Sequence, residues 1–170
     1  MHKENGGVSL ARNAGLKAST GEWVLFIDGD DVWHKDTLAV CARLIEEHPD
    51  VQIVKFMRER FADDCHVVWK DGREEVNVRD LESGLIDDDM RYSFVCNCCH
   101  RSVIPRRGFK NYVRGEDLLF RAECLLVAKR MVSTTRCLYA YRTRPGSATQ
   151  SSMNMRKLKI GRAVQQECRD

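Results

Sequence analysis

Trp23-Val24-Leu25-Phe26-Ile27-Asp28-Gly29-Asp30-Asp31 is the stretch that decides the fold. A short apolar run ends abruptly in three carboxylates within four positions. Its shortness and bulk, between Gly21 and Gly29, predict a strand buried on both faces of a parallel sheet. In such a sheet the carboxyl ends of the strands form the ligand crevice. Packing like charges there costs energy unless a cation neutralises them. Hard oxygen ligands suit Mg2+ or Mn2+, which keep coordination positions open for substrate phosphates. The same residues also suit a polar turn capping the next helix, because Asp and Gly are the usual turn formers. Val32 and Trp33 argue against an EF-hand, since they stand where that loop needs a ligand and a glycine.

Working outward, Val8, Ala11, Ala14, Gly15 and Ala18 recur at helical spacing before the strand. After it, Leu38, Cys41, Ala42 and Ile45 predict a helix that Pro49 ends, and Val51 to Met57 predict another strand. Helices alternating with strands imply an α/β layered fold. The runs Cys65 to Trp69 and Glu75 to Val78 flank Lys70-Asp71-Gly72-Arg73, a hairpin signal. Asp80 to Met90 is acidic and weakly patterned, a loop or short helix. Leu118, Leu119, Ala122, Leu125 and Leu126 predict the apolar stripe of a third helix. Arg136 to Arg142 reads as a late strand.

At 170 residues the chain suits one domain, read as 1–150, with a basic tail or helix over 151–170. Lys and Arg number 28 against 25 Asp and Glu, and a net charge of +3 is too small to argue for nucleic acid. The longest apolar runs are far short of the roughly 20 residues that cross a bilayer, and the N-terminus lacks the apolar stretch of a secretory signal. A cytoplasmic protein is expected, with its eight cysteines mostly as thiols. Cys96-x-x-Cys99 beside His100 resembles half a metal site, but no second half completes it.

Three further segments carry chemistry-bearing residues. Arg114-Gly115-Glu116-Asp117 precedes the third helix, where a carboxylate is either a cap or a positioned general base. Arg12 and Asn13 lie on the helix before the acidic strand and could reach a nucleotide or its phosphates. Tyr141 to Thr149 is a basic, Pro-Gly-punctuated loop, either an ordinary turn or a closure over an anionic ligand.

In order along the chain, Gly7-Val8-Ser9-x-Ala11-Arg12-Asn13, Gly21-Glu22-Trp23, Phe26-Ile27-Asp28-Gly29-Asp30-Asp31, Gly115-Glu116-Asp117-x-x-Phe120 and Arg144-Pro145-Gly146-Ser147-Ala148-Thr149 resemble the family 2 glycosyltransferases of the GT-A fold, of the bacterial cell-surface polysaccharide type. The resemblance implies a partial GT-A, Rossmann-like fold, a mixed sheet flanked by helices. It implies inverting transfer of a sugar from a nucleotide-diphosphate sugar donor to a saccharide or lipid-linked saccharide acceptor. Asp28, Asp30 and Asp31 would hold Mn2+ or Mg2+ and touch the ribose–diphosphate region. Asp117 would be the base that deprotonates the acceptor hydroxyl, supported by Glu116, and Arg12 and Asn13 would contribute to the donor pocket. Peripheral association with the inner face of the membrane and homo-oligomerisation are compatible with it.

The family's usual opening strand, V-S-x-I-I-P-x-Y-N-like, and a later strand ending in D-D/G-S-x-D are not found here. A truncated transferase, or one part of a larger assembly, is therefore expected, with weak or no activity alone. Two other readings stay open. Asp28 and Asp30 also fit the first motif of haloacid-dehalogenase-like phosphatases, as nucleophile and acid/base with Mg2+, although no later Ser/Thr and Lys motifs complete the set. A non-catalytic remnant that oligomerises or binds a partner through exposed sheet edge is the third.

Overall fold

The computed structural model describes residues 6–62, 66–70, 72–81, 93–112 and 115–144. The acidic 82–90 stretch, Arg114, most of the basic loop and the 151–170 tail lie outside the described residues. Helices α1 (Val8–Ala18), α2 (Thr37–Glu47) and α3 (Glu116–Val127) accompany strands β1 (Trp23–Val24), β2 (Val32–Trp33), β3 (Ile53–Ala62), β4 (Val76–Asp80), β5 (Asn97–His100) and β6 (Arg130–Thr143). The strands form one sheet in the order β1-β5-β3-β6-β2, with β4 also pairing with β6. β3 and β6 run parallel and the other pairs antiparallel, so the sheet is mixed.

Buried β3 and β6 residues, Ile53, Val54, Phe56, Val132, Leu138 and Tyr139, form the centre of the core. Cys98 and Cys99 on β5 show how the helices cover it. Neighbouring strand residues point to opposite faces. The Cys98 thiol neighbours that of Cys41 on α2, and the Cys99 thiol neighbours that of Cys124 on α3. The two helices therefore lie on opposite faces, a three-layer α/β architecture. The cysteines among the described residues are buried free thiols, and no metal-ligating group of three forms around Cys96, Cys99 and His100. Burial pushes the Cys96 thiol up to about 12, which keeps it protonated.

Several elements differ from the sequence expectation. Strand β1 is only Trp23–Val24, and Ile27 is exposed, so the run is not buried on both faces. Among the described residues β1 pairs only with β5, at the sheet margin, where one side of the run lacks neighbours. The expected hairpin does not form: residues 66–70 are not strand, and β4 pairs with β6 instead. The 14-residue β6 offers a long edge, and that pairing outcompetes the local turn. Helix α3 buries Phe120, Arg121 and Cys124 while Leu118 and Leu126 are exposed. Phe120 stacks on Phe109 with centroids 3.9 Å apart and meets Phe26 and Phe94 edge-on. Large rings bury more apolar area than leucines and so choose the face.

Helix α1 departs most. Val8, Ala11, Gly15 and Ala18 are exposed, and Ser9 is its buried residue. Its attachment is polar. Ser9 Oγ donates to the Lys110 carbonyl at 3.2 Å. Asn13 accepts from Phe109 N–H at 2.7 Å and donates to the Phe109 carbonyl at 2.9 Å. Gly108 makes this brace possible: its φ is +67°, and a Cβ there would lie 2.2 Å from Asn13 Oδ1. Gly108→Ala combines left-handed strain with loss of the Asn13 hydrogen bonds and should destabilise the fold by about 2–4 kcal/mol. Urea unfolding measures it; a loss near zero would show that Asn13 does not fasten α1.

Candidate active site

Arg12 projects from α1 into the space between the end of the Trp23–Asp28 run and the start of α3. Its Nη2 donates to both oxygens of Asp28, at 2.8 and 3.0 Å, and its Nη1 donates to Glu116 Oε1 at 3.1 Å. The guanidinium lies 4.6 Å from the centre of the Phe94 ring, an attractive cation–π placement. The side chains of Arg12 and Glu116 are each 12% exposed and that of Asp28 31%, so these pairs are shielded far better than surface ion pairs. One planar group thus joins the acidic turn to the helix that carries Asp117.

The rest of the turn is held by β6. Tyr139, fully buried, donates its hydroxyl to Asp31 Oδ2 at 2.5 Å and accepts from Asp28 N–H at 3.3 Å. Arg142 N–H donates to Asp31 Oδ1 at 2.9 Å, and Arg142 Nε donates to the Asp30 carbonyl at 2.8 Å. Arg144 pairs with the Asp30 carboxylate. Burial raises the Asp31 carboxyl above its usual 3.8, opposed by the hydrogen bonds from Tyr139 and Arg142. Burial and Asp31 push the Tyr139 phenol up, so it is a neutral donor. At the start of α3, Gly115 adopts φ +84°, and Asp117 Oδ1 accepts from Leu118 N–H at 2.9 Å. A helix N-terminus favours carboxylates at Glu116 and Asp117.

The structure therefore brings Asp28, Asp30, Asp31, Glu116, Asp117 and Arg12 to one end of the sheet. It does not gather Asp28, Asp30 and Asp31 into a three-carboxylate cluster; among the described residues no such group converges. Both Asp28 oxygens face Arg12, and both Asp31 oxygens are occupied. Asp30 is different, 45% exposed, with its carboxylate paired only with Arg144 among the described residues. Five carboxylates share this end with the guanidinium groups of Arg12, Arg142 and Arg144. With all of these ionised, two negative charges are left over among the described residues. That donor set fits a divalent ion held by one carboxylate together with ligand phosphates, a common arrangement for Mg2+. Asn13 is spent on the Phe109 backbone rather than aimed at the turn. Tyr139 was missed in the sequence because only strand register, across 108 positions, brings it to Asp31.

A mixed sheet covered by helices on both faces, with a carboxylate-rich turn at one end, defines an α/β layered fold. The sequence model of Glycosyl transferase family 2 matches residues 1–113, and the chain belongs to that family. It is 29% identical over 157 residues to the poly(ribitol-phosphate) beta-N-acetylglucosaminyltransferase TarS of Staphylococcus aureus, covering 89% of this chain and 26% of the relative. It is 26% identical over 161 residues to the glycosyltransferase GlyA of Streptococcus pneumoniae, covering 88% of this chain and 23% of the relative. The crystal structure of S. aureus TarS 1-349 in complex with UDP-GlcNAc superposes with a TM-score of 0.70 at 23% identity, over 91% of this chain and 44% of that one. The chain spans about a quarter of these two relatives and less than half of that structure. Family membership sets aside the phosphatase reading. No helix among the described residues is long and apolar enough to cross a membrane.

Tyr139→Phe should leave Asp28 N–H without its acceptor and remove a hydrogen bond that favours the ionised form of Asp31. The Asp31 pKa should then rise further. Its folded value already exceeds the unfolded one, so this group favours folding below pH 3.8 and that contribution is lost as pH rises through the folded value. The variant should move that loss to higher pH. Carboxyl-carbon NMR titration reads the shift; an unchanged Asp31 midpoint would contradict the assignment.

Proposed function

We propose that the chain carries the acid-rich catalytic end of an inverting glycosyltransferase that moves a sugar from a nucleotide-diphosphate sugar to an acceptor hydroxyl in cell-surface polysaccharide synthesis. The observation that carries this reading is the Arg12 bridge, which links the Asp28–Asp31 turn to the Glu116-Asp117 pair. Asp117 is the general base, on the first turn of α3 behind Gly115. It takes the proton from the acceptor hydroxyl as that oxygen bonds to the anomeric carbon. The bond from that carbon to the diphosphate breaks on the opposite face, and its electron pair leaves with the diphosphate. Inversion follows from a single displacement. Glu116 is a positioning residue, because its carboxylate is engaged by Arg12.

Asp30 would hold Mn2+ or Mg2+, and the ion when bound supplies Lewis-acid neutralisation of the diphosphate charge. Asp28 and Asp31 shape the turn through Arg12, Tyr139 and Arg142. Arg142 and Arg144 border the turn with positive charge suited to phosphate oxygens. The acceptor is a saccharide or lipid-linked saccharide, reached from the cytoplasmic side of the membrane. UDP-GlcNAc is the first donor to test, because the solved TarS complex contains it.

Donor binding and turnover separate these roles. With Mn2+, Asp117→Asn should lower transfer about 10^2–10^4-fold while donor affinity stays within about threefold. Asp30→Ala should abolish the dependence of donor binding on the ion. Full transfer by the Asp117→Asn variant, or donor binding by the Asp30→Ala variant that still depends on the ion, would overturn the reading.

A further inference from the structure

A cavity lies beside the C-terminal half of α1. It is a groove of about 690 Å3, lined by the last turns of α1 and by the 101–108 segment. Four cations line it, Lys17, Arg101, Arg106 and Arg107, together with the hydroxyl residues Ser19 and Ser102. No carboxylate is among the lining residues. Of the four, Arg107 pairs with Glu123, outside the lining, while Lys17 and Arg106 form no ion pair among the described residues. Arg101 is held rigidly but not neutralised. Its Nε donates to the Gly21 carbonyl at 2.8 Å and its Nη2 to Ser19 O and Oγ at 3.1 and 3.0 Å.

Of these cations Lys17, Arg101 and Arg106 have no carboxylate against them among the described residues; like charges around one concavity repel one another, and the interaction grows where walls exclude water. A chain with a net charge of only +3 has placed this concentration of positive charge in a single groove. An anion relieves it. Guanidinium groups are matched to phosphate oxygens, which accept several hydrogen bonds at once. The groove volume lies in the range of small-molecule sites. Leu16, one turn along α1 from Arg12, lines both this groove and the cavity beside Asp28.

We infer that the groove between α1 and residues 101–108 is a phosphate-binding site, separate from the acidic turn and open to a phosphomonoester or phosphodiester group. Lys17 and Arg106 supply charges that form no ion pair among the described residues, and Arg101 a fixed one. The inference stands apart from the transferase reading, because none of these residues touches Asp28, Asp30, Asp31 or Asp117.

The test is titration of the 15N-labelled full chain with inorganic phosphate and with glycerol 3-phosphate, followed by amide NMR. Shifts should concentrate at residues 17, 19 and 101–108. The double variant Lys17→Gln, Arg106→Gln should weaken binding at least about tenfold, and added salt should weaken it in the wild type. Neither residue belongs to the proposed catalytic machinery, so nucleotide-sugar binding should be unchanged. A vesicle arm identifies the source of the phosphate. Sedimentation with phosphatidylglycerol vesicles but not phosphatidylcholine vesicles, lost in the double variant, assigns a lipid headgroup. Phosphate binding without vesicle binding assigns a free or acceptor-borne phosphate. Shifts confined to residues 28–31, equal affinity in the double variant, or no phosphate binding would each overturn the site.

Discussion

One guanidinium holds the candidate site together. Arg12 contacts carboxylates from two segments 88 positions apart in sequence, Asp28 and Glu116, and rests on the Phe94 ring. A side chain this shielded cannot lose a partner cheaply. Removing one member of a buried pair leaves an uncompensated charge, which costs more than the intact pair gains. Arginine suits this position because its planar fork has separate nitrogens for each partner. Lysine would offer one point charge to two carboxylates. The aromatic cluster of Phe26, Phe94, Phe109 and Phe120 forms the apolar side of the same junction, so packing and charge pairing reinforce each other.

Around that clamp the long strand β6 acts as a second frame. Over its length it pairs with β3, β4 and β2, and near its end it presents Tyr139, Arg142 and Arg144 to the acidic turn. The turn is thus fixed from two directions. Asp28 and Asp31 are used in holding it, which leaves Asp30 as the carboxylate most open to a ligand. A turn of three acidic residues is stable here because each meets a donor that the fold has already placed.

Much of this was legible in the sequence, for identifiable reasons. The apolar run ending in Asp28, the α2 pattern closed by Pro49 and the Gly115-Glu116-Asp117 helix start all depend on neighbours a few positions away. Their locations held, and the family model matches the stretch, residues 1–113, that holds the N-terminal motifs of the ordered set. What failed depended on distant partners. The α3 face was set by Phe109 and Phe94 rather than by its own leucines, and β4 was captured by the edge of β6 rather than by a hairpin. The exposed face of α1 misled because that helix is attached by Ser9, Arg12 and Asn13 instead of by apolar packing. Asn13, expected at the donor pocket, braces the Phe109 backbone, a contact visible only once Gly108 and Phe109 are beside it.

The most direct measurement of the clamp is a pair of double-mutant cycles read by urea unfolding, Arg12→Met with Asp28→Asn and Arg12→Met with Glu116→Gln. A shared guanidinium predicts coupling of about 1–3 kcal/mol in both cycles. Additivity within about 0.5 kcal/mol in either cycle would mean that Arg12 does not join the two segments.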